Sequence, residues 1–392
     1  MSLKIQTYVP ENAIFPIAST LIYGDREAVL VNGQFQASRA RELVERIQAT
    51  GRELTTIFVS HSDPDYYFAL DTLRAAFPAV KIVATPQTAW LIEATKNDKL
   101  AVWKDQLGDD LPQELITPDA FTGNIGIEGE VVEVRQASDD PSHIFLWVPA
   151  LKTALGGISV FTGAHPWLAD TTDLAAVDQW IARLEDIAAL APEKVIGGHI
   201  IGAYSDSPEV VAFLTGYLRD WRAAAANAKS SSDIIDPMAA KYPDLPAREF
   251  LDMGAKAFVG EIPWQVAQLY PFVGHKAKAD FGDFAFQLDF KDHRQMTFTD
   301  LTGAFGGISD TVNYTAVSIR PGVFMVYWSE PNSTGANVTH VQDIAQGILY
   351  TNIAGTDGSF TNLKGKLSLL DYEPSCEAIK GSQKGNNDCI EN

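Results

Sequence analysis

Cysteine is nearly missing from this sequence: Cys376 and Cys389 are the two it has in 392 residues, both in the closing stretch SCEAIKGSQKGNNDCIEN. No disulfide framework can hold such a chain, so the fold must rest on an apolar core, and the pair is expected as free thiols rather than as a clip. Long apolar runs are missing too. No stretch approaches the ~20 residues of a membrane span, and the opening MSLKIQTYVPENAIF carries Glu11 and Asn12 where a signal peptide needs an unbroken apolar core. A cytoplasmic protein is expected. Positive charge is scarce: 30 Lys plus Arg stand against 50 Asp plus Glu, a net charge of -20. That balance argues against nucleic acid and anionic membrane as partners and leaves small molecules or basic proteins. Oligomeric state is not legible. Sequons at Asn313, Asn332 and Asn337 carry no weight without secretion.

The chain is long enough for two or three domains, and its 46% hydrophobic content is that of an ordinary globular protein. Over residues 1–226, β-like runs alternate with helical ones. STLIYG and EAVLVNG read as paired strands, ASRARELVERIQATG as an amphipathic helix and LTTIFVS as a buried strand. DYYFALDTLRAAFP reads as one helix, VKIVATP as a strand and PQTAWLIEATKNDKLAVWKDQLG as a helix. Next come the β-rich IGIEGEVVEVRQ and HIFLWVPALKTALGGISVF, the helix DLAAVDQWIARLEDIAAL, the strand EKVIGGH and the helix SPEVVAFLTGYLRDWRAAAANA. Interleaved in this way, they indicate layered sheets covered by helices. Residues 227–268 read as a helical linker or cap broken by Pro237, Pro243 and Pro246. Residues 269–374 read as short alternating strands of an antiparallel barrel or sandwich, and 375–392 as a flexible tail.

The stretch IFVSHSDPDYYFAL carries the chemistry. Its strand ends at Ser60, so His61, Asp63 and Asp65 fall on the following turn, where they can converge on one point, and Tyr66 opens a helix. Rigid strand ends hold ligands within the tolerance that coordination demands. His61, Asp63 and Asp65 make an oxygen-rich set, suited to magnesium, manganese or iron(II) more than to zinc. One divalent ion (Zn, Mn, Fe or Mg), or none, is the expected cofactor. The structural alternative is that His61, Asp63 or Asp65 caps the helix start.

This strand, acidic turn and helix, with the later strand EKVIGGH ending at His199, resemble the metallo-β-lactamase fold. The likeness implies an αββα sandwich over residues 1–226, with ligands from an H-x-H-x-D-H turn and from later strands. His61 matches the first His, Asp65 the Asp and His199 the last His. Asp63 stands where the second His would be and Tyr66 where the third would be. Asp139 aligns with another ligand His, with His143 nearby, and Gly157 replaces the bridging Asp. HSDPDYYF also resembles a divergent branch of metallo-hydrolase-like proteins with a DPDYYFG-type turn and a downstream H-x-W-x-A-D segment; GAHPWLADT supplies His165 and Asp170 for the latter. That pair reads equally as ligands or as a loop-fixing hydrogen bond. Trp90, Trp103, Trp180 and Trp221 sit at helical spacing among apolar residues and read as core.

Further on, VFMVYWSEPNSTGANVTHVQDI resembles the lipocalin-like barrels of MoaF-type proteins and phenolic acid decarboxylases, over residues 275–372. The fold class expected is therefore α+β, a metallo-β-lactamase-like sandwich followed by a small antiparallel lipocalin-like β-barrel. Alternation sets Phe324, Val326 and Trp328 on one strand face and Met325, Tyr327 and Ser329 on the other. Glu330 and His340, with Tyr314, Arg320 and Asp343, are candidates for a buried polar cluster able to do acid–base work. The alternative is a barrel filled by its own side chains.

Three functions follow as expectations. The first is a metallo-hydrolase-like enzyme opening a small apolar lactone, ester or amide, with Asp65 or Tyr66 handling the proton. The second is a metal-independent cyclase, isomerase or decarboxylase of secondary metabolism, working in the pocket or the barrel through Glu330 or His340. The third is a binding protein for a small aromatic molecule.

Overall fold

The computed structural model describes residues 2–136, 143–262, 270–320, 322–344 and 346–370. The chain divides into two compact units, residues 1–262 and 263–373.

The first unit begins with β1 (Lys4–Tyr8), β2 (Ser19–Tyr23) and β3 (Glu27–Val31), followed by α1 (Ala37–Ala49), β4 (Glu53–Val59), α2 (Pro64–Tyr67), α3 (Leu70–Ala76), β5 (Lys81–Ala84), α4 (Pro86–Leu107) and β6 (Asp119–Ala120). These six strands form one sheet in sequence order, antiparallel as far as β3 and parallel from β3 to β6. The next strands are β7 (Ile125–Ile127), β8 (Glu130–Gln136), β9 (Ile144–Val148), β10 (Thr153–Leu155) and β11 (Phe161–Thr162). Then come α5 (Leu174–Ala189), β12 (Lys194–Ile196), β13 (His199–Ile200), α6 (Glu209–Ala225), α7 (Ser232–Lys241) and α8 (Arg248–Phe258). They build a second sheet, ordered β12-β10-β9-β8-β7, and a parallel pair β11-β13 that sets Phe161 opposite His199.

Alternation along β3 shows how the layers arise. Ala28 and Leu30 enter a cluster with Leu43 of α1 and Leu73 of α3, whereas Val29 and Val31 enter another with Ile144, Leu146 and Ile196 of the second sheet. A strand with apolar residues on both faces is covered on both. Helices α5 to α8 form a third cluster around Trp221, so the order of layers is αββα. Helices α7 and α8 belong to that cluster through Ile234, Met238, Leu251 and Ala255. Trp103 and Trp180 pack against the cores, as their helical spacing predicts.

One expected element divides. DYYFALDTLRAAFP forms α2 and α3 rather than one helix, because the Ala69 N–H bonds across to the Gln34 carbonyl, 2.9 Å away. Phe68 and Ala69 turn the chain there. Tertiary bonding overrides helix propensity at this point.

The second unit is a closed barrel of β14 (Lys276–Asp280), β15 (Ala285–Phe290), β16 (Gln295–Asp300), β17 (Ser309–Arg320), β18 (Val323–Ser329), β19 (Asn337–Asp343), β20 (Ile348–Ala354) and β21 (Phe360–Leu369). Every neighbouring pair is antiparallel, and β14 closes the ring against β21. Strand β14, KAKAD, escapes the sequence reading because its inward residues, Ala277 and Ala279, are small and alternate with lysines. Phe324, Val326 and Trp328 are the inward face of β18, while Tyr327 and Ser329 are exposed. Among the described residues no helix is long and apolar enough to cross a membrane.

Candidate functional site

The turn after β4 is held from beneath by Asn32. This residue adopts a left-handed φ of 67°, one that asparagine tolerates better than most residues. Its Oδ1 accepts from the Ser60 N–H at 2.9 Å, and its Nδ2 donates to the Gly156 carbonyl at 3.1 Å, a carbonyl that the Ser60 hydroxyl also reaches. The Gly33 N–H donates to the Tyr66 carbonyl at 2.8 Å. A Cβ at Gly33 would stand 3.1 Å from that same carbonyl oxygen, so glycine permits the approach.

Four side chains emerge from this platform. His61 Nδ1 lies 3.2 Å from Asp63 Oδ2. His61 Nε2 is buried and has no hydrogen-bond partner. Asp63 precedes α2 but makes no side-chain cap bond, so its carboxylate serves His61 and not the helix end. Burial opposes ionisation of Asp63, but the charges of His61, Lys99 and His143 outweigh it and hold this carboxyl below its usual range.

Across from the turn, His199 Nε2 is 2.7 Å from Asp65 Oδ2, and its Nδ1 is 3.4 Å from the Tyr66 hydroxyl. The network assigns the tautomer: Nε2–H donates to the carboxylate, leaving Nδ1 to accept from the phenol. The imidazole also stacks on Phe161, with centroids 5.0 Å apart. Burial first, and the Asp65 and Asp63 charges second, push the Tyr66 phenol well above its ordinary range, so it stays protonated. Gly198 makes room for it, since a Cβ there would lie 2.9 Å from the Tyr66 hydroxyl and 2.5 Å from the Gly157 carbonyl oxygen. At Gly157 itself a Cβ would stand 2.5 Å from the Ile144 carbonyl oxygen, which closes that position to a bridging aspartate.

Lys99, on α4, is a site residue that the sequence does not single out. It is 6% exposed, its Nζ donates to the Ser62 carbonyl at 2.6 Å, and it lies 4.0 Å from Asp63 Oδ1. Burial lowers its pKa, against the favourable charges of Asp63, Asp170 and Asp65. His143, which the sequence left without a role, places its ring 5.2 Å from that of His61.

The structure thus brings His61, Asp63, Asp65, Tyr66 and His199 together. His165 turns instead to Tyr217, whose hydroxyl lies 2.8 Å from Nδ1, and Asp170 accepts from the Trp167 indole at 2.9 Å. Asp139 lies outside the described residues. Among the described residues the donor set does not fit a metal ion. His61 and His199 are each paired with a carboxylate and a buried ammonium stands beside Asp63, so these anions are already partnered. Among the described residues, no three His, Cys, Asp or Glu side chains are grouped to hold a cation.

In the barrel, Glu330 fastens a turn: it accepts from the Trp328 indole at 3.0 Å and from the Thr334 hydroxyl at 2.6 Å. His340 is 3% exposed and edge-on to Trp328, with centroids 4.7 Å apart, and burial pushes its pKa down to about 3. Gln342 joins it to the Tyr270 hydroxyl. Tyr314 donates to the Asp292 carbonyl at 2.7 Å, and Asp343 accepts from the Gln346 N–H at 3.0 Å.

Residues 14–199 match the family model of the metallo-beta-lactamase superfamily, and residues 273–368 that of MoaF-like proteins. The uncharacterized protein YobT of Bacillus subtilis (strain 168) is 25% identical over 87 residues, 22% of this chain and 36% of that protein. The chain therefore spans about a third of this curated relative. A metallo-beta-lactamase family protein of Thermus thermophilus is 15% identical, covering 69% of this chain and 96% of that one, with a TM-score of 0.47. A metallo-beta-lactamase from Pontibacter korlensis is 16% identical over 56% of this chain and 95% of its own, with a TM-score of 0.40. The chain thus joins a segment that matches the metallo-beta-lactamase superfamily, residues 14–199, to one that matches MoaF-like proteins, residues 273–368.

Proposed function

We propose that the chain is a hydrolase-like enzyme opening the carbonyl group of a small apolar lactone, ester or amide by general acid–base catalysis with its own side chains. The observation that carries this reading is the state of His61: one nitrogen is oriented by Asp63 while the other is buried without a protein partner. An imidazole fixed in this way has the layout of a general base, because the carboxylate holds the ring and stabilises the imidazolium once Nε2 takes a proton. His61 Nε2 removes the proton of a water that attacks the carbonyl carbon. The imidazolium then returns it to the leaving oxygen or nitrogen. Asp65 stands on the same turn, fixed by His199. Tyr66 is fully buried and acts through His199 as a positioning residue.

The test is hydrolysis of a panel of aryl esters, γ- and δ-lactones and anilides by chelator-treated protein. Turnover that persists after chelation and falls with His61→Gln and Asp63→Asn supports the reading; turnover that requires added metal, or that ignores both substitutions, overturns it. The same groups could serve an isomerase or lyase, which product analysis would separate. A second reading, a ligand held inside the barrel, is favoured by the buried Thr351 hydroxyl, which has no hydrogen-bond partner.

A further inference from the structure

We propose that the Lys99 ammonium is the resident cation of the acidic turn, holding by charge and by its bond to Ser62 the carboxylates that an ion would hold in a metal centre. The geometry is that of a built-in counter-ion. Lys99 comes from α4, a separate element, and buries its side chain to place Nζ 2.6 Å from the carbonyl of Ser62, the residue between His61 and Asp63. It is 4.0 Å from Asp63 Oδ1. An ammonium is costly to bury without an anion nearby, and here Asp63, an anion of the expected metal site, stands beside it. A divalent ion entering beside Asp63 would meet a fixed positive charge within a few ångström. The site therefore excludes metal by repulsion as well as by carboxylates that are already paired. This role does not depend on the substrate, so a failed hydrolysis assay and a failed metal titration are separate outcomes.

Titration of the full chain with MnCl2, followed by calorimetry and bound-metal analysis, tests the assignment on wild type, Lys99→Gln and Lys99→Arg. Wild type and Lys99→Arg are expected to retain no stoichiometric manganese. Lys99→Gln, freed of the charge, is expected to bind manganese at least about tenfold more tightly. One equivalent bound by wild type and lost in Asp63→Asn would overturn the proposal, as would equal affinity in wild type and folded Lys99→Gln. Should Lys99→Gln unfold, the double variant Lys99→Gln/Asp63→Asn decides the matter. Recovery of the melting temperature on removing the partner charge marks an electrostatic role, and no recovery marks one of packing alone and sinks the idea.

Discussion

The carboxylate of Asp65 accepts a 2.7 Å hydrogen bond from Nε2 of His199 across 134 positions of sequence. The sequence resemblance matches both members of this pair to metal ligands, yet here they bind each other. A ligand imidazole needs a free lone pair directed at the ion. In His199 the Nε2 hydrogen is given to Asp65, and the Nδ1 lone pair faces the Tyr66 phenol.

The two arms of the site should respond differently to substitution. His61→Gln removes the base and is expected to lower kcat by ~10² to 10⁴. Tyr66→Phe keeps the ring and loses one hydrogen bond to His199, so kcat should fall by a smaller factor while the pH profile shifts. Steady-state kinetics from acid to mildly alkaline pH on the best ester of the panel would check both; equal losses would mean that Tyr66 touches substrate.

Gly157→Asp introduces the carboxylate that the sequence resemblance implies at this point, and it should not create a metal centre. The new Cβ would stand 2.5 Å from the Ile144 carbonyl oxygen. Overpacking of this kind costs about 1 to 3 kcal/mol or more. A melting temperature several degrees below wild type, with manganese uptake unchanged, is the expected result. Uptake of a full equivalent would show that the backbone gives way.

His340 predicts a pH dependence for the barrel. Its pKa falls from 6.5 to about 3 on folding because burial disfavours the imidazolium. Below pH 6.5 the unfolded chain binds the proton more readily than the folded one. The stability that this residue contributes is therefore fully present above pH 6.5 and is lost as pH falls toward 3. Thermal unfolding of wild type and His340→Leu between about pH 4 and 8 should show a steeper acid decline in wild type. Parallel curves would disprove it.

Glu330→Ala strands the Trp328 indole N–H and the Thr334 hydroxyl, which the carboxylate now satisfies. Losing the partner of a buried polar group costs about 1 to 3 kcal/mol. Denaturant unfolding followed by tryptophan fluorescence should register a destabilisation of that order, and Glu330→Gln should retain part of the difference.

Periodicity carried most of the architecture. Apolar residues on both faces of β3 mark a strand between two layers, and the alternation along β18 separates Trp328 from Tyr327. The turn from His61 to Tyr66 was legible because its residues are adjacent. Partners from distant elements were not. Nothing in TKNDKLAVW distinguishes Lys99 from its exposed neighbours, since what sets it apart is the direction of one face of α4 toward Ser62. His165 looked like a companion of Asp170 because they are close in sequence, but its ring bonds to Tyr217, on a helix that sequence spacing cannot bring near. Asn32 left a trace in the pair Asn32-Gly33 at a strand end, where a left-handed turn is common.

Beside the Asn32 side chain, the loop from β3 to α1 grips the turn and the helix that follows through backbone atoms: the Gly33 amide donates to the Tyr66 carbonyl, and the Gln34 carbonyl accepts from the Ala69 amide. The side chains of His61, Asp63, Asp65 and Tyr66 thus ride on a carrier indifferent to what they are. Such a turn keeps its backbone course while the side chains it carries are exchanged.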